Sequence, residues 1–204
     1  RYSYIPYPLS IYNGILKLKP GTVLTVNPVN KETKTSTYWQ LKNAVLTSET
    51  NSDLNEEAMI NELDKLLNNS VNLQQISDVP VGAFLSGGID SSLISAIMQK
   101  NNVNKIKTFT VSLSDKEFDE SSNARKVADH INSDHNEINI EAKDVINLIP
   151  KIPQIYDEPF ADSSQIPTYL ISKLAKEQVK VALSGDGGDE IFAGYNRYIF
   201  IEKY

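Results

Sequence analysis

Residues 81–92, Val-Gly-Ala-Phe-Leu-Ser-Gly-Gly-Ile-Asp-Ser-Ser, hold the first group of side chains able to do chemistry. An apolar, β-rich run breaks at Ser86-Gly87-Gly88 and restarts as the helix-like Ser91–Met98, which reads as a strand, a glycine loop and a helix start. Glycines let the backbone approach a ligand, and a new helix offers unpaired N–H groups at the positive end of its dipole. Such a corner binds an anion. The loop lacks the lysine of a Gly-x-x-x-x-Gly-Lys-[Ser/Thr] loop and the spacing of a Gly-x-Gly-x-x-Gly dinucleotide turn. Asp90 would repel phosphate unless a divalent cation lay between them, and Mg²⁺ is usually held by one or two carboxylates plus phosphate oxygens. The corner therefore reads as a Mg-pyrophosphate cradle. The plainer reading is an ordinary turn with Asp90 as helix cap and Ser91 and Ser92 in the first turn.

A second cluster lies at Leu183-Ser184-Gly185-Asp186-Gly187-Gly188-Asp189-Glu190-Ile191-Phe192-Ala193-Gly194-Tyr195. Three acids beside a diphosphate would be unfavourable without metal, and a metal removes the objection. The plainer reading is a glycine-rich turn with a helix N-terminus welcoming Asp and Glu. Two such corners, each after a strand, make coincidence less attractive.

Ser86-Gly87-Gly88-Ile89-Asp90-Ser91 resembles the Ser-Gly-Gly-x-Asp-Ser loop of the PP-loop ATP pyrophosphatases, which cleave ATP between its α and β phosphates. The second cluster is similar to the Ser-Gly-[Glu/Asp]-Gly-x-Asp-Glu-[Leu/Ile/Val]-Phe-x-Gly-Tyr signature of the asparagine synthetase branch. Glu117-Phe118-Asp119-Glu120 and Tyr156 through Ser164 also look like segments of that family. The resemblance implies that Ser86, Gly87, Gly88, Asp90 and Ser91 hold pyrophosphate and that Asp90 and Asp189 ligate Mg²⁺. It puts Leu85 and Val111 at the adenine and Ser184 with Gly185 at the ribose and α-phosphate. Asp186 stands where the family has Glu or Asp near the reacting acyl group, so the catalytic set is Asp186, Asp90 and Asp189. The implied activity is glutamine-dependent: aspartate becomes aspartyl-AMP at the expense of ATP, then ammonia from glutamine gives asparagine and AMP. ATP and Mg²⁺ are the expected cofactors, and a homodimer is compatible with the family.

The elements that must carry these residues alternate. Residues 53–71 repeat apolar positions at helical spacing, about five turns, with Asp53 and Glu56 placed like a capping box. Residues 105–113 alternate as a strand, 119–131 are helix-like, 135–140 alternate again, 142–149 and 163–179 are helical, and 179–183 is a last short strand. That order predicts an α/β fold, a parallel sheet with helices on both faces and ligands at the carboxyl ends of its strands. Residues 1–41, rich in Tyr, Pro, Thr and Val, read as a short β-rich piece. Leu16 through Gly21 with the later Tyr38-Trp39 is similar to the end of the family's N-terminal glutaminase domain. Residues 42–52 lack periodicity and read as a linker, leaving 53–204 as a C-terminally truncated synthetase domain.

The chain has 204 residues, 40% of them hydrophobic, enough to bury a core. Its net charge of −6 and pI near 5.0 argue against a nucleic-acid partner. No apolar run reaches the ~18 residues of a membrane span. The absence of cysteine removes disulfides, thiolate metal sites and a cysteine nucleophile from this segment and fits a cytoplasmic protein. Starting at Arg1 and stopping within Ile199–Tyr204, the chain reads as a piece of a longer one, without the glutaminase cysteine or the synthetase C-terminus, and is expected to be inactive alone. His130 and His135, five apart, suit neither helical nor same-face strand spacing and read as surface or helix-end residues. Tyr2, Tyr4, Tyr7 and Tyr12 read as packing between domains, and Arg125-Lys126 as a solvated face. Rival readings are an amidotransferase of the same branch acting on another carboxylic acid, sugar acid or peptide, a PP-loop ligase acting on tRNA or a nucleotide, and a non-catalytic nucleotide-binding remnant.

Overall fold

The structure, a computed structural model, describes residues 2–47, 55–113 and 119–203. In chain order the elements are β1 (Thr22–Val26), β2 (Thr33–Thr37), α1 (Leu41–Thr47), α2 (Glu56–Gln74), β3 (Val81–Phe84), α3 (Ile89–Lys100), β4 (Lys107–Leu113) and α4 (Ser121–Ile131). They continue with β5 (Asp134–Ile140), α5 (Ala142–Leu148), α6 (Ile152–Ile155), α7 (Gln165–Lys176), β6 (Val181–Leu183), α8 (Gly188–Phe192) and α9 (Asn196–Lys203). They sort into two units, residues 1–55 with 150–163, and residues 56–149 with 164–204.

The larger unit is built on a four-stranded sheet in the order β5-β4-β3-β6, all neighbours parallel. Alternation along β3 sends successive side chains to opposite faces. Ala83 joins Ile97 and Met98 of α3 and Val71 of α2 on one face, whereas Phe84 joins Phe109 and the Ala175–Val179 end of α7 on the other. Helices therefore cover both faces, as the sequence pattern predicts. α2 runs 19 residues, matching the expected five turns, but Asp53 of the anticipated capping box lies outside the described residues. Glu117 and Phe118 do too.

The smaller unit carries the antiparallel ribbon β1–β2. The Lys17 ammonium binds Glu158, and Ala161 N–H donates to the Ser3 carbonyl at 2.6 Å, so residues 150–163 are tied to the N-terminal segment. Helix α1, Leu41–Thr47, takes in the start of the 42–52 stretch read as an aperiodic linker. Seven residues are two turns, too few for an apolar stripe to repeat visibly. Tyr2, Tyr4, Tyr7 and Tyr12 are exposed in this chain.

His135 departs from its expected surface position. It sits on β5 with Nδ1 2.9 Å from the Thr108 hydroxyl, which in turn lies 2.9 Å from that of Ser133, while Nε2 is buried without a partner. Burial holds its pKa below the ordinary value, against the pull of Glu137 and Asp129. His130, in the last turn of α4, is exposed as expected. Arg125 takes both carboxylate oxygens of Glu137, at 2.9 and 2.7 Å, on the solvated face that its sequence context indicates. Among the described residues no helix is long and apolar enough to cross a membrane.

Candidate active site

Parallel pairing brings the two glycine corners together. Ala83 is in register with Leu183, so β3 and β6 release their chains side by side at the carboxyl end of the sheet. After β3, Leu85 N–H still donates to the Phe109 carbonyl at 2.9 Å, and only at Ser86 does the chain leave the ladder. Gly87 turns it at φ +85°, where an L side chain is strained. A methyl group there would also lie 2.6 Å from the backbone nitrogen of Ala124, so the loop rests directly on the first turns of α4.

Inside the first corner the hydroxyls of Ser86 and Ser91 share a hydrogen bond of 2.8 Å. Ser86 N–H donates to Ser91 Oγ at 3.2 Å, and Gly88 N–H donates to Ser86 Oγ at 3.2 Å. The two serines fix the loop internally, and Ser91 is buried. The first-turn N–H groups of α3, a 12-residue helix, have no helical acceptors. The positive end of the helix dipole lies at the same groups, an arrangement chemically suited to an anion. Asp90 stands half-buried in that turn.

The second corner locks onto the first. A methyl on Gly185 would lie 2.7 Å from the nitrogen of Ser91 and 2.9 Å from the carbonyl carbon of Asp90. One on Gly188 would lie 2.5 Å from the carboxyl carbon of Asp90. The Asp90 carboxylate therefore packs against the backbone immediately before Asp189. The half-buried Asp189 carboxylate in turn lies against the α-carbon side of Gly194. Ser184 Oγ donates to Asp186 Oδ2 at 3.0 Å, holding the exposed Asp186 side chain over its own turn.

Asp90 and Asp189, one half-buried carboxylate from each corner, are the kind of oxygen donors Mg²⁺ takes beside phosphate oxygens. Among the described residues no group of three or more His, Cys, Asp or Glu could hold a metal. The residues fit an ion shared with a phosphate and not an all-protein cage.

Of the two residues expected at the adenine, Val111 is half-buried on β4, two positions beyond Phe109 and so level with Ser86. Leu85 is different. Its side chain is 1% exposed, packed against Ala124 and Ala128 of α4, because the residue continues the β3 alternation on the α3/α4 face. A side-chain contact of Leu85 with a base is not open in this arrangement.

Sequence reasoning did not single out Gly188, Gly194, Glu190 or Tyr195 for a role. Tyr195 Oη donates to Glu190 Oε1 at 2.6 Å, which pushes the phenol up to about 12 and holds the Glu190 carboxyl below its ordinary value. The Arg197 guanidinium lies 4.1 Å from the centre of the Tyr195 ring. The available signal was the recurrence of glycine around Asp189: close approach explains Gly188 and Gly194, and a left-handed backbone at φ +91° explains Gly187.

The parallel α/β sheet thus ends in two interlocked glycine–acid corners at the carboxyl ends of adjoining strands. The asparagine synthase family profile matches residues 62–203, and the chain belongs to that family. Asparagine synthetase (glutamine-hydrolyzing) 1 of Bacillus subtilis is 34% identical over 197 residues, 97% of this chain and 30% of its own. Asparagine synthetase B (glutamine-hydrolyzing) of Escherichia coli is 35% identical over 153 residues, 66% of this chain and 27% of its own. A Methanocaldococcus jannaschii relative is 38% identical over 96% of this chain and 37% of its own. The chain thus spans about a third of the length of such curated relatives. The solved structure of the NH3-dependent NAD synthetase from Campylobacter jejuni, in complex with nitrate, aligns with 70% of the chain and 62% of its own at a TM-score of 0.44 and 14% identity.

Proposed function

We propose that the full-length protein activates the side-chain carboxylate of aspartate with ATP and transfers glutamine-derived ammonia to it. The carboxylate oxygen bonds to the α-phosphorus as the bond to the β-phosphate oxygen breaks, releasing pyrophosphate and leaving aspartyl-AMP. Ammonia then adds to the acyl carbon, AMP departs with the bonding pair, and the ammonium proton lost on amide formation passes to solvent or to a carboxylate. The interlock of the two corners carries this reading: it sets Asp90 beside the backbone next to Asp189 at a helix N-terminus built for an anion.

In this scheme Ser86, Gly87, Gly88 and Ser91 shape the backbone that holds pyrophosphate. Val111 flanks the adenine, with Leu85 as the packed floor beneath the corner. Ser184 and Gly185 face the ribose and α-phosphate, and Asp186, oriented by Ser184, lies towards the acyl group. Asp90 and Asp189 would hold Mg²⁺, which when bound offsets phosphate charge as the leaving group departs. Each backbone hydrogen bond to such a charged group is worth about 1.5–3 kcal/mol, so several supply a useful share of the barrier reduction. Residues 1–41 are proposed as the end of a glutaminase domain, 42–52 as the linker and 53–204 as the synthetase portion, within a cytoplasmic enzyme.

A second reading keeps the adenylation and changes the acceptor to another carboxylic acid, sugar acid or peptide; the short, exposed Asp186 side chain favours it. The test is pyrophosphate release by the full-length protein with ATP, Mg²⁺ and ammonia. Release that requires aspartate and yields asparagine supports the first reading. Release with another acid only transfers weight to the second, and release with none refutes adenylation and leaves nucleotide binding.

A further inference from the structure

We propose that Gly194 and Tyr195 form a latch that fixes the carboxylate of Asp189 for metal binding. The inference rests on the reading of Asp189 as a Mg²⁺ ligand. Helix α8 has five residues and is bounded by left-handed positions at Gly187, φ +91°, and Ala193, φ +56°. So short a helix does not hold its own shape. The chain that follows closes over it: Gly194 N–H donates to the Asp189 carbonyl at 3.0 Å, and Tyr195 Oη binds Glu190, the neighbour of Asp189.

At Gly194 the fit is closest. A methyl group there would overlap Asp189 Oδ1, so the carboxylate occupies the space that any other residue's Cβ would fill. The backbone of Gly194 is not in the left-handed region, so alanine is conformationally acceptable and would act by displacing the carboxylate. The Arg197 guanidinium stacks 4.1 Å over the Tyr195 ring, a further contact on the tyrosine. Gly194 and Tyr195 are positioning residues, acting through Asp189.

The experiment uses the full-length protein and measures Mn²⁺ affinity by electron paramagnetic resonance in the presence of α,β-methylene-ATP, with melting temperature recorded for each variant. Gly194→Ala should weaken Mn²⁺ binding about tenfold, the low end of the range for groups that orient metal ligands. Tyr195→Phe should weaken it about threefold, the scale of one net hydrogen bond. In an Asp189→Asn background neither change should add a further loss, since the group they position is gone. In exchange assays the Mg²⁺ concentration for half-maximal rate should rise more than the plateau falls. If Asp189→Asn weakens Mn²⁺ binding while both latch variants bind like wild type, the latch is overturned and the ligand reading stands. If Asp189→Asn itself binds Mn²⁺ normally, both fall. Should Gly194→Ala fail to fold, Tyr195→Phe decides alone.

Discussion

Replacing Gly185 by alanine tests the interlock directly. The added methyl would sit 2.7 Å from the backbone nitrogen of Ser91 and 2.9 Å from Asp90 C and Cβ, contacts with backbone that cannot swing away. Overpacking of this kind costs about 1–3 kcal/mol. Relief by separating the corners moves Ser184 and Gly185 from the first loop by a few tenths of an ångström. A displacement of about 1 Å can cost 10²-fold in rate, so a loss on the order of 10-fold or more is expected. Gly14 supplies the control: it has φ +79° with nothing within 4 Å of the methyl that alanine would add, so Gly14→Ala adds about 1–2 kcal/mol of backbone strain without touching either corner. The assay is ATP–pyrophosphate exchange by the full-length protein beside thermal melting. Both variants should lose a few degrees, and only Gly185→Ala should lose exchange. Exchange in Gly185→Ala within twofold of the control would refute the reasoning, because the corners would then tolerate separation.

Asp90→Asn should keep the melting temperature and abolish exchange, since the change removes a carboxylate proposed to hold Mg²⁺ against the pyrophosphate; unchanged exchange refutes its role. Phe109→Ala empties a fully buried position between β4 and α7 and should cost about 3–5 kcal/mol, read as a lower denaturation midpoint. Burial lowers the folded pKa of His135 from 6.5, so the unfolded chain takes up its proton first as pH falls. Its contribution to stability is full above about pH 6.5 and is lost through the window between that value and the depressed folded one. His135→Gln should flatten the fall of melting temperature with acid, and an unaltered slope refutes the assignment.

The local code of the first corner is legible in Ser86-Gly87-Gly88-Ile89-Asp90-Ser91: a strand must stop, a glycine must turn, and a helix must begin. The alternation of strands and helices likewise announces a parallel sheet, because period-2 and period-3.6 patterns are written residue by residue. Leu85 shows where this ends. Its place in a binding motif suggests a ligand contact, yet strand alternation and the small Ala124 and Ala128 draw it into the core. His135 is similar: spacing from His130 says nothing of Thr108, which only the β4–β5 register brings to it. Residues 150–163 join the N-terminal unit through Lys17–Glu158 and Ala161–Ser3, pairings across more than a hundred residues that no local pattern encodes.

By itself, then, the sequence determined the chemistry of each corner, since glycine, serine and aspartate at short spacing constrain a backbone locally. Only the tertiary structure decided that the corners touch. The parallel pairing of β3 with β6 sets Gly185 on Ser91 and Gly188 on Asp90, and contacts across about a hundred residues are chosen by sheet register and packing, which no single stretch contains.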